Sequence, residues 1–123
     1  MLLIPTEVRK SPIHGVGLFT LRPIPKGRTI WRFVEGLDLA IPQAKFTQLP
    51  FAVRAFFKTY AALDNGIYYV DLDNTRFMNH STSPNVRTGR GKAPMFASRD
   101  IPKGAELLCN YRVFDAPSRR GQL

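Results

Sequence analysis

The spacing of proline and glycine constrains the fold of this chain more than any other feature of its sequence. Ten prolines and nine glycines recur every few residues along the 123-residue chain. Proline lacks a backbone N–H and glycine tolerates positive φ, so both residues interrupt regular elements and favour turns. The short segments between them are rich in Val, Ile, Phe and Tyr, which is typical of strands. We therefore predict strands over residues 3–9, 17–20, 29–33, 66–72, 95–98 and 106–111.

One region has a helical pattern instead. Residues 50–63 read PFAVRAFFKTYAAL, in which apolar side chains recur at helical intervals and Pro50 suits the first turn. Asn65 and Gly66 both tolerate positive φ, and we interpret them as the stop signal of this helix. These patterns predict a mainly β fold with one short helical insert.

The length of the chain and its 44% hydrophobic content indicate one globular domain over residues 1–123, large enough to bury a core. Cys109 is the only cysteine, which excludes an intramolecular disulfide and a zinc site built from several cysteines, and favours a reducing compartment. The sequence shows no secretory signal and no run near the roughly 18 apolar residues of a membrane span. We expect a soluble, intracellular protein without a membrane partner, either cytoplasmic or, in a eukaryote or a host cell, nuclear and chromatin-associated.

The chain carries a formal charge of +9, from 18 Lys and Arg against 9 Asp and Glu. Such an excess favours acidic partners, nucleic acid among them. The cations are spread along the chain without a dense arm, however, and solubility alone explains the charge equally well. Nucleic acid is therefore an expected but unspecific partner.

A short motif occurs twice. Residues 22–30 read RPIPKGRTI and residues 99–107 read RDIPKGAEL, so a basic residue precedes the Ile-Pro-Lys-Gly run in both, and an apolar residue follows its glycine by three positions. Proline and glycine at these positions predict a turn between strands. We expect the two copies to form related hairpin edges in one small sheet system, which bears on the fold and not directly on the chemistry.

Two segments place glycine or polar residues where chemistry could occur. Residues 10–20 read KSPIHGVGLFT, and Gly15 and Gly17 allow a sharp bend and a close approach of a ligand to the backbone. The third glycine of a dinucleotide fingerprint is missing, and an ordinary turn explains the pattern as well. Residues 76–86 read RFMNHSTSPNV, which carries Asn79 and His80 into the interior, where either a ligand or structural hydrogen bonds would satisfy them.

A third segment, residues 106–115, reads ELLCNYRVFD and delivers Asn110 and Tyr111 to the end of an apolar strand. Such a tyrosine most often packs its ring against apolar neighbours and leaves its hydroxyl in contact with water. We predict no metal site, because His14 and His80 are the only histidines and no carboxylate lies at ligand spacing from either.

Together these segments resemble the SET domain, the fold of protein-lysine methyltransferases. The resemblance rests on the Gly-x-Gly turn, on R-F-x-N-H-S-x-x-P-N and on E-L-x-x-x-Y, and it covers residues 9–113. It implies a β-clip fold of several small sheets in which the C-terminal segment is threaded beneath a loop. It also implies transfer of methyl groups from S-adenosylmethionine to a lysine ε-amine of a histone or another protein, which leaves S-adenosylhomocysteine and requires no metal.

The resemblance implies roles for individual residues. Tyr111 matches the catalytic tyrosine at the methyl-transfer centre. Tyr60 and Tyr69, with Tyr68 as a weaker candidate, are expected to wall the substrate lysine channel. Cys109 is expected on the substrate side two residues before Tyr111, where its small size favours multiple methylation. The residues expected to bind the cofactor are His14, Gly15, Val16, Gly17, Arg76, Asn79, His80 and Phe114, the last against the adenine ring.

Two features leave alternatives open. The cysteine-rich zinc segment that follows the domain in many relatives has no counterpart after Tyr111, so the C-terminal tail or a second copy in a homodimer would have to close the site. The doubled turn also occurs in β-clip domains that have no methyltransferase activity. A non-catalytic β-clip binding module is therefore the alternative function.

Overall fold

Short strands gathered into small sheets make up most of the computed structural model, which describes residues 1–113. The chain order of strands and helices in this part is β1 Thr6–Lys10, β2 Val16–Thr20, β3 Thr29–Trp31, β4 Leu39–Pro42, α1 Gln43–Phe46, α2 Phe51–Tyr60, β5 Ala62–Asp64, β6 Ile67–Val70, β7 Asn79–His80, β8 Val86–Arg87, β9 Met95–Ala97 and β10 Leu108–Cys109. Two 3-10 turns, Asn74–Phe77 and Tyr111–Val113, lie before β7 and after β10. The mainly β fold class predicted from the sequence is confirmed.

The strands form four small sheets within the described residues. β1 and β2 are an antiparallel hairpin, and two three-stranded antiparallel sheets have the orders β3-β9-β8 and β4-β6-β5. The fourth sheet pairs β10 with β7 in parallel, so that Leu108 faces Asn79 and Cys109 faces His80. This last pairing joins the two polar segments that the sequence singled out.

The C-terminal segment is held from both sides. The Leu107 N–H donates to the Leu18 carbonyl at 2.7 Å, and Glu106 forms a bridge with Phe19 of β2. On the other side, the Asn85 side chain donates to the Glu106 carbonyl at 2.9 Å and accepts from the Leu108 N–H at 2.8 Å. The segment therefore runs between β2 and the loop that follows β7, as a threaded C-terminal segment requires.

Two apolar clusters stabilise these sheets. The larger one contains Leu18, Ile30, Met78, Leu107 and Tyr111, each at most 2% exposed, and lies beneath the C-terminal segment. A smaller one packs α1 and α2 against the β4-β6-β5 sheet through Phe46, Phe57, Ala61 and Val70. The helical region thus forms a separate layer, packed against the β4-β6-β5 sheet and apart from the larger apolar cluster.

The two copies of the repeated motif pair with each other. Ile24 and Ile101 exchange two backbone hydrogen bonds, both of 2.8 Å, and both side chains are buried. Gly27 and Gly104 occupy equivalent turn positions with φ of +87° and +85°, which favours glycine. The two turns are thus related by direct pairing, through an isolated bridge that lies outside the four sheets.

The prediction for the helical region was wrong at its end. α2 ends at Tyr60, Ala61 is extended, and the next three residues form β5. Asn65 and Gly66, with φ of +49° and +75°, are the two-residue loop of the β5–β6 hairpin and do not stop a helix. The sequence analysis also missed α1 and four strands, β4, β5, β7 and β8.

Candidate active site

Two clefts meet at the side chain of Tyr60. The first, called here the loop cleft, measures about 510 Å³ out to bulk solvent and is lined by His14, Gly15, Val16, Thr59, Tyr60, Arg76, Phe77, Asn79 and Tyr111. The second, the aromatic cleft, measures about 590 Å³ and is lined by Trp31, Tyr60, Ala62, Asp64, Tyr69, Asp71, Thr75, Met78, Gly89, Gly91, Ala93, Met95 and Cys109.

The loop before β2 is fastened from beneath by Asn79. The Asn79 side chain is 3% exposed, and its amide nitrogen donates to the His14 carbonyl at 2.9 Å and to the Val16 carbonyl at 3.0 Å. Between these two contacts Gly15 adopts φ +48°, a left-handed conformation that favours glycine. The outer face of this loop, at residues 14–16, is exposed and forms one wall of the loop cleft.

Ser11 and Glu106 complete this fastening, and the sequence analysis assigned a role to neither. The Ser11 hydroxyl donates to the Glu106 carboxylate at 2.9 Å, and the same carboxylate accepts from the Asn79 amide at 3.0 Å. A Cβ on Gly17 would overlap the Glu106 carboxylate, which explains why glycine stands there. The only sequence signal for Glu106 is its place at the start of the E-L-x-x-x-Y pattern.

The parallel pairing of β7 with β10 places Tyr111 over His80. The Tyr111 N–H donates to His80 Nδ1 at 3.0 Å, and the two rings lie 5.3 Å apart. The Tyr111 hydroxyl donates to the Met78 carbonyl at 2.6 Å, and the residue as a whole is 2% exposed. Backbone and side-chain contacts therefore fix both ends of the tyrosine.

The surroundings of His80 favour its neutral form. Burial lowers the pKa of its imidazole, and the positive charge of Arg112 lowers this pKa further. A neutral imidazole retains the Nδ1 lone pair that accepts the Tyr111 N–H, whereas protonation would remove this acceptor. His80 thus supports the position of Tyr111 and lines neither cleft.

Arg76 forms the wall of the loop cleft opposite the glycine loop. Its Nη1 donates to the Leu72 and Asp73 carbonyls, both at 2.9 Å, and its guanidinium lies 4.5 Å from the centre of the Phe77 ring. Its Nε is buried and has no hydrogen-bond partner among residues 1–113. A ligand carboxylate in this cleft would neutralise the guanidinium charge and supply an acceptor.

Only one of the two adjacent tyrosines of β6 lines the aromatic cleft. Tyr69 lines the cleft, whereas Tyr68 points to the opposite face of the strand and packs 4.5 Å from Phe46 in the smaller apolar cluster. This alternation follows from the two-residue period of a strand. Cys109 is 2% exposed and lines the aromatic cleft. Tyr111, two residues later in the chain, lines the loop cleft.

The structure brings most of the predicted site residues together. His14, Gly15, Val16, Arg76, Asn79, Tyr60 and Tyr111 line the loop cleft, and Tyr60, Tyr69 and Cys109 line the aromatic cleft. Gly17 is buried behind the loop, and Phe114 lies outside the described residues. Within residues 1–113, no three His, Cys, Asp or Glu side chains form a group that could hold a metal ion. None of the helices in that part is long and apolar enough to span a membrane.

Comparison with protein families matches residues 15–112 to the SET domain. Among curated proteins, histone-lysine N-methyltransferase NSD3 of mouse is 34% identical over 120 residues, and histone-lysine N-methyltransferase ASHH2 of Arabidopsis thaliana is 30% identical over 125 residues. The variant-silencing SET domain-containing protein of Plasmodium falciparum is 29% identical over 125 residues. These alignments cover 87%, 90% and 85% of this chain, but only 8%, 7% and 5% of the respective relatives.

Solved structures show the same fold. A humanized mutant of the Chaetomium thermophilum Polycomb Repressive Complex 2, bound to the inhibitor GSK126, superposes with a TM-score of 0.69 at 20% identity, over 94% of this chain and 16% of that one. A candidate histone methyltransferase from Plasmodium falciparum superposes with a TM-score of 0.63 at 21% identity, over 89% of this chain and 95% of that one. At these identities the likeness concerns the fold alone.

Proposed function

The chain belongs to the SET-domain family, and from this premise we propose that it is an S-adenosylmethionine-dependent protein-lysine N-methyltransferase. The observation that carries the proposal is the meeting of a polar, backbone-walled cleft and an aromatic cleft at Tyr60. Cys109 and Tyr111, two residues apart on one segment, line one cleft each. Two reactants that enter from opposite sides would therefore meet beside Tyr111.

The loop cleft suits S-adenosylmethionine. The exposed backbone at residues 14–16 lies on one side, and the Arg76 guanidinium, with a buried N–H that lacks a partner within residues 1–113, lies on the other. We assign the cofactor carboxylate to Arg76 and the rest of the cofactor to the glycine loop and Thr59. When bound there, S-adenosylmethionine supplies a methyl group on a positively charged sulfur that is a good leaving group.

The aromatic cleft suits the lysine side chain. Tyr60, Tyr69 and Trp31 surround the aliphatic stem with apolar surface, which disfavours the charged form of the amine. Asp71 also lines this cleft, as does Asp64, whose carboxylate forms an ion pair with Arg90 at 2.8 Å.

The roles of the protein groups follow from this arrangement. A lysine ε-amine held in the aromatic cleft must have lost its proton to solvent before it can accept a methyl group, and S-adenosylmethionine bound in the loop cleft would supply that group. Tyr111, fixed through Met78 and His80, orients the reacting groups, because alignment is the main contribution that a protein can make to such a displacement. The names of the mouse and Arabidopsis relatives support lysines of histones as the first substrates to test.

The proposal is tested by separating binding from transfer. Titration calorimetry with S-adenosylmethionine and S-adenosylhomocysteine should show binding by the wild-type protein and by Tyr111→Phe, which keeps the ring and loses the hydroxyl. The wild-type protein should transfer labelled methyl groups to histones, whereas Tyr111→Phe should not. A folded wild-type protein that neither binds the cofactor nor, with histones present, transfers methyl groups would instead indicate the non-catalytic β-clip module.

A further inference from the structure

The paired copies of the repeated motif form a second surface with an unusual distribution of charge. Backbone hydrogen bonds hold the two turns beside each other: the Gly104 N–H donates to the Thr20 carbonyl at 2.8 Å, and the Ala97 N–H donates to the Arg28 carbonyl at 2.9 Å. The isolated Ile24–Ile101 bridge lies between these contacts. The two turns are therefore fixed relative to each other.

Five exposed cations lie on these two turns. Arg22 and Lys26 belong to the first copy, and Arg99 and Lys103 belong to the second. Arg28 is also exposed and, with Arg22, lines a small groove over Ile4 and Pro5. We call the five cations, Arg22, Lys26, Arg28, Arg99 and Lys103, the paired-turn face.

The carboxylates nearest in sequence form no ion pair with this face within residues 1–113. Asp100 accepts a hydrogen bond from the Lys26 backbone N–H at 2.8 Å, and Glu106 accepts from Ser11 at 2.9 Å and from Asn79 at 3.0 Å. Within residues 1–113 the side chains of Arg22, Lys26, Arg28 and Lys103 form no ion pair. The Arg99 guanidinium lies 3.3 Å from the Pro84 carbonyl, which holds it in place without reducing its charge.

We infer that the paired-turn face binds the phosphate backbone of duplex DNA. Closely set Arg and Lys side chains on a rigid backbone are what phosphate contacts require, and such contacts need no base-reading element. The exposed side chains of the face are charged or proline, whereas the centre of a protein–protein interface is depleted in charge. The exposed aromatic side chains of the described residues, Phe51 and Phe56, lie on α2 and not on this face, which favours a duplex over a single strand that needs stacking.

This inference is independent of the proposed methyl transfer, because none of the five cations lines the loop cleft or the aromatic cleft. It is tested by the fluorescence anisotropy of a labelled 20-base-pair duplex at several salt concentrations. The test variant carries Arg22→Gln, Lys26→Gln, Arg28→Gln and Lys103→Gln, and it retains Arg99 because that side chain bonds to backbone carbonyls. The matched control removes four exposed cations elsewhere through Lys10→Gln, Arg32→Gln, Lys45→Gln and Lys58→Gln.

Wild type and control should bind the duplex with a steep salt dependence. Each lost phosphate contact lowers the slope of log affinity against log salt by about 0.9, so the test variant should lose about 2–4 units of slope and about tenfold or more in affinity. Equal losses in the two variants would show that affinity follows net charge alone and would overturn the inference. So would the absence of binding by wild type at about 50 mM salt, or competition by polyglutamate as effective as that by unlabelled duplex. If the fourfold variant unfolds by circular dichroism, Arg22→Gln with Lys103→Gln is compared with Lys45→Gln and Lys58→Gln in the same assay.

Discussion

Replacement of Asn79 by alanine tests whether this residue serves the cofactor through the loop that it fastens. The change removes the donor for the His14 and Val16 carbonyls and for the Glu106 carboxylate. The two carbonyls belong to an exposed loop, where water can replace the lost contacts, whereas the carboxylate is half-buried. At about 1 kcal/mol for each lost hydrogen bond, we expect a decrease of about 2–3 kcal/mol in the free energy of unfolding. A domain with a typical stability of about 5–15 kcal/mol would remain folded.

Asn85 provides a matched control. It is also a buried asparagine that bridges two backbone groups, the Glu106 carbonyl and the Leu108 N–H, but it lines neither cleft. Asn85→Ala should therefore lower the free energy of unfolding by a similar amount, about 2–3 kcal/mol. Urea unfolding measures this effect in both variants, and titration calorimetry with S-adenosylhomocysteine measures the affinity of the loop cleft.

The two variants should differ in affinity although they match in stability. Release of the loop in Asn79→Ala should weaken cofactor binding by about tenfold or more, which corresponds to about 1.4 kcal/mol. Asn85→Ala should bind within about threefold of wild type, which corresponds to about 0.7 kcal/mol, because Asn85 bonds to residues that line neither cleft. Equal affinity in the two variants would refute the reasoning, since the fastening of residues 14–16 would then have no bearing on the cofactor.

Four further predictions follow from the same geometry. Because burial lowers the pKa of His80, the folded state favours the neutral imidazole. The stability that results is fully present above the ordinary pKa of 6.5 and is lost as the pH falls through the lower pKa of the folded state. Urea midpoints should therefore fall on acidification, and they should fall less in His80→Gln. Cys109→Phe should shrink the aromatic cleft and shift the product from multiply methylated to monomethylated lysine by mass spectrometry; a wild type that makes only monomethyl-lysine would contradict this. Gly17→Ala should destabilise the fold, because its Cβ overlaps the Glu106 carboxylate, and Gly17→Ala with Glu106→Ala should recover part of the loss in thermal unfolding. If a second copy closes the site, sedimentation equilibrium should show a dimer at the concentrations at which the protein is active, whereas an active monomer would exclude this role.

The parts of the fold that could be predicted from the sequence are those that local patterns determine. Residues 17–20 and 95–98 were predicted as strands because branched and aromatic side chains recur there between turns, and both contain strands in the structure. Asn65 and Gly66 show the limit of such patterns, since the pair is compatible both with the end of a helix and with a hairpin loop. The choice depends on whether residues 62–64 find a partner strand, and that partner is β6, on the far side of the loop.

The strands β7 and β8 could not be predicted because each consists of only two residues. Such strands exist through partners distant in sequence: β7 pairs with β10, and β8 pairs with β9. The role of Ser11 was invisible for the same reason. Its hydroxyl bonds to Glu106, 95 residues later in the chain, and a serine followed by proline gives no sign of such a contact. The motif resemblance located most residues of the loop cleft but few of the aromatic cleft, and it did not distinguish residues that line a cleft from those, such as His80, that support them.

The C-terminal segment links the folding of this domain to the assembly of its site. Glu106 fastens the glycine loop through Ser11 and Asn79, Cys109 lines the aromatic cleft, and Tyr111 lines the loop cleft. All three residues are positioned when one short segment pairs with β7 and bonds to β2. Neither cleft would keep its full lining without this pairing, so a chain with an undocked C-terminal segment would lack Tyr111 in the loop cleft and the fastened loop together. The threaded topology, which is rare among proteins, is thus the feature through which one segment lines both clefts.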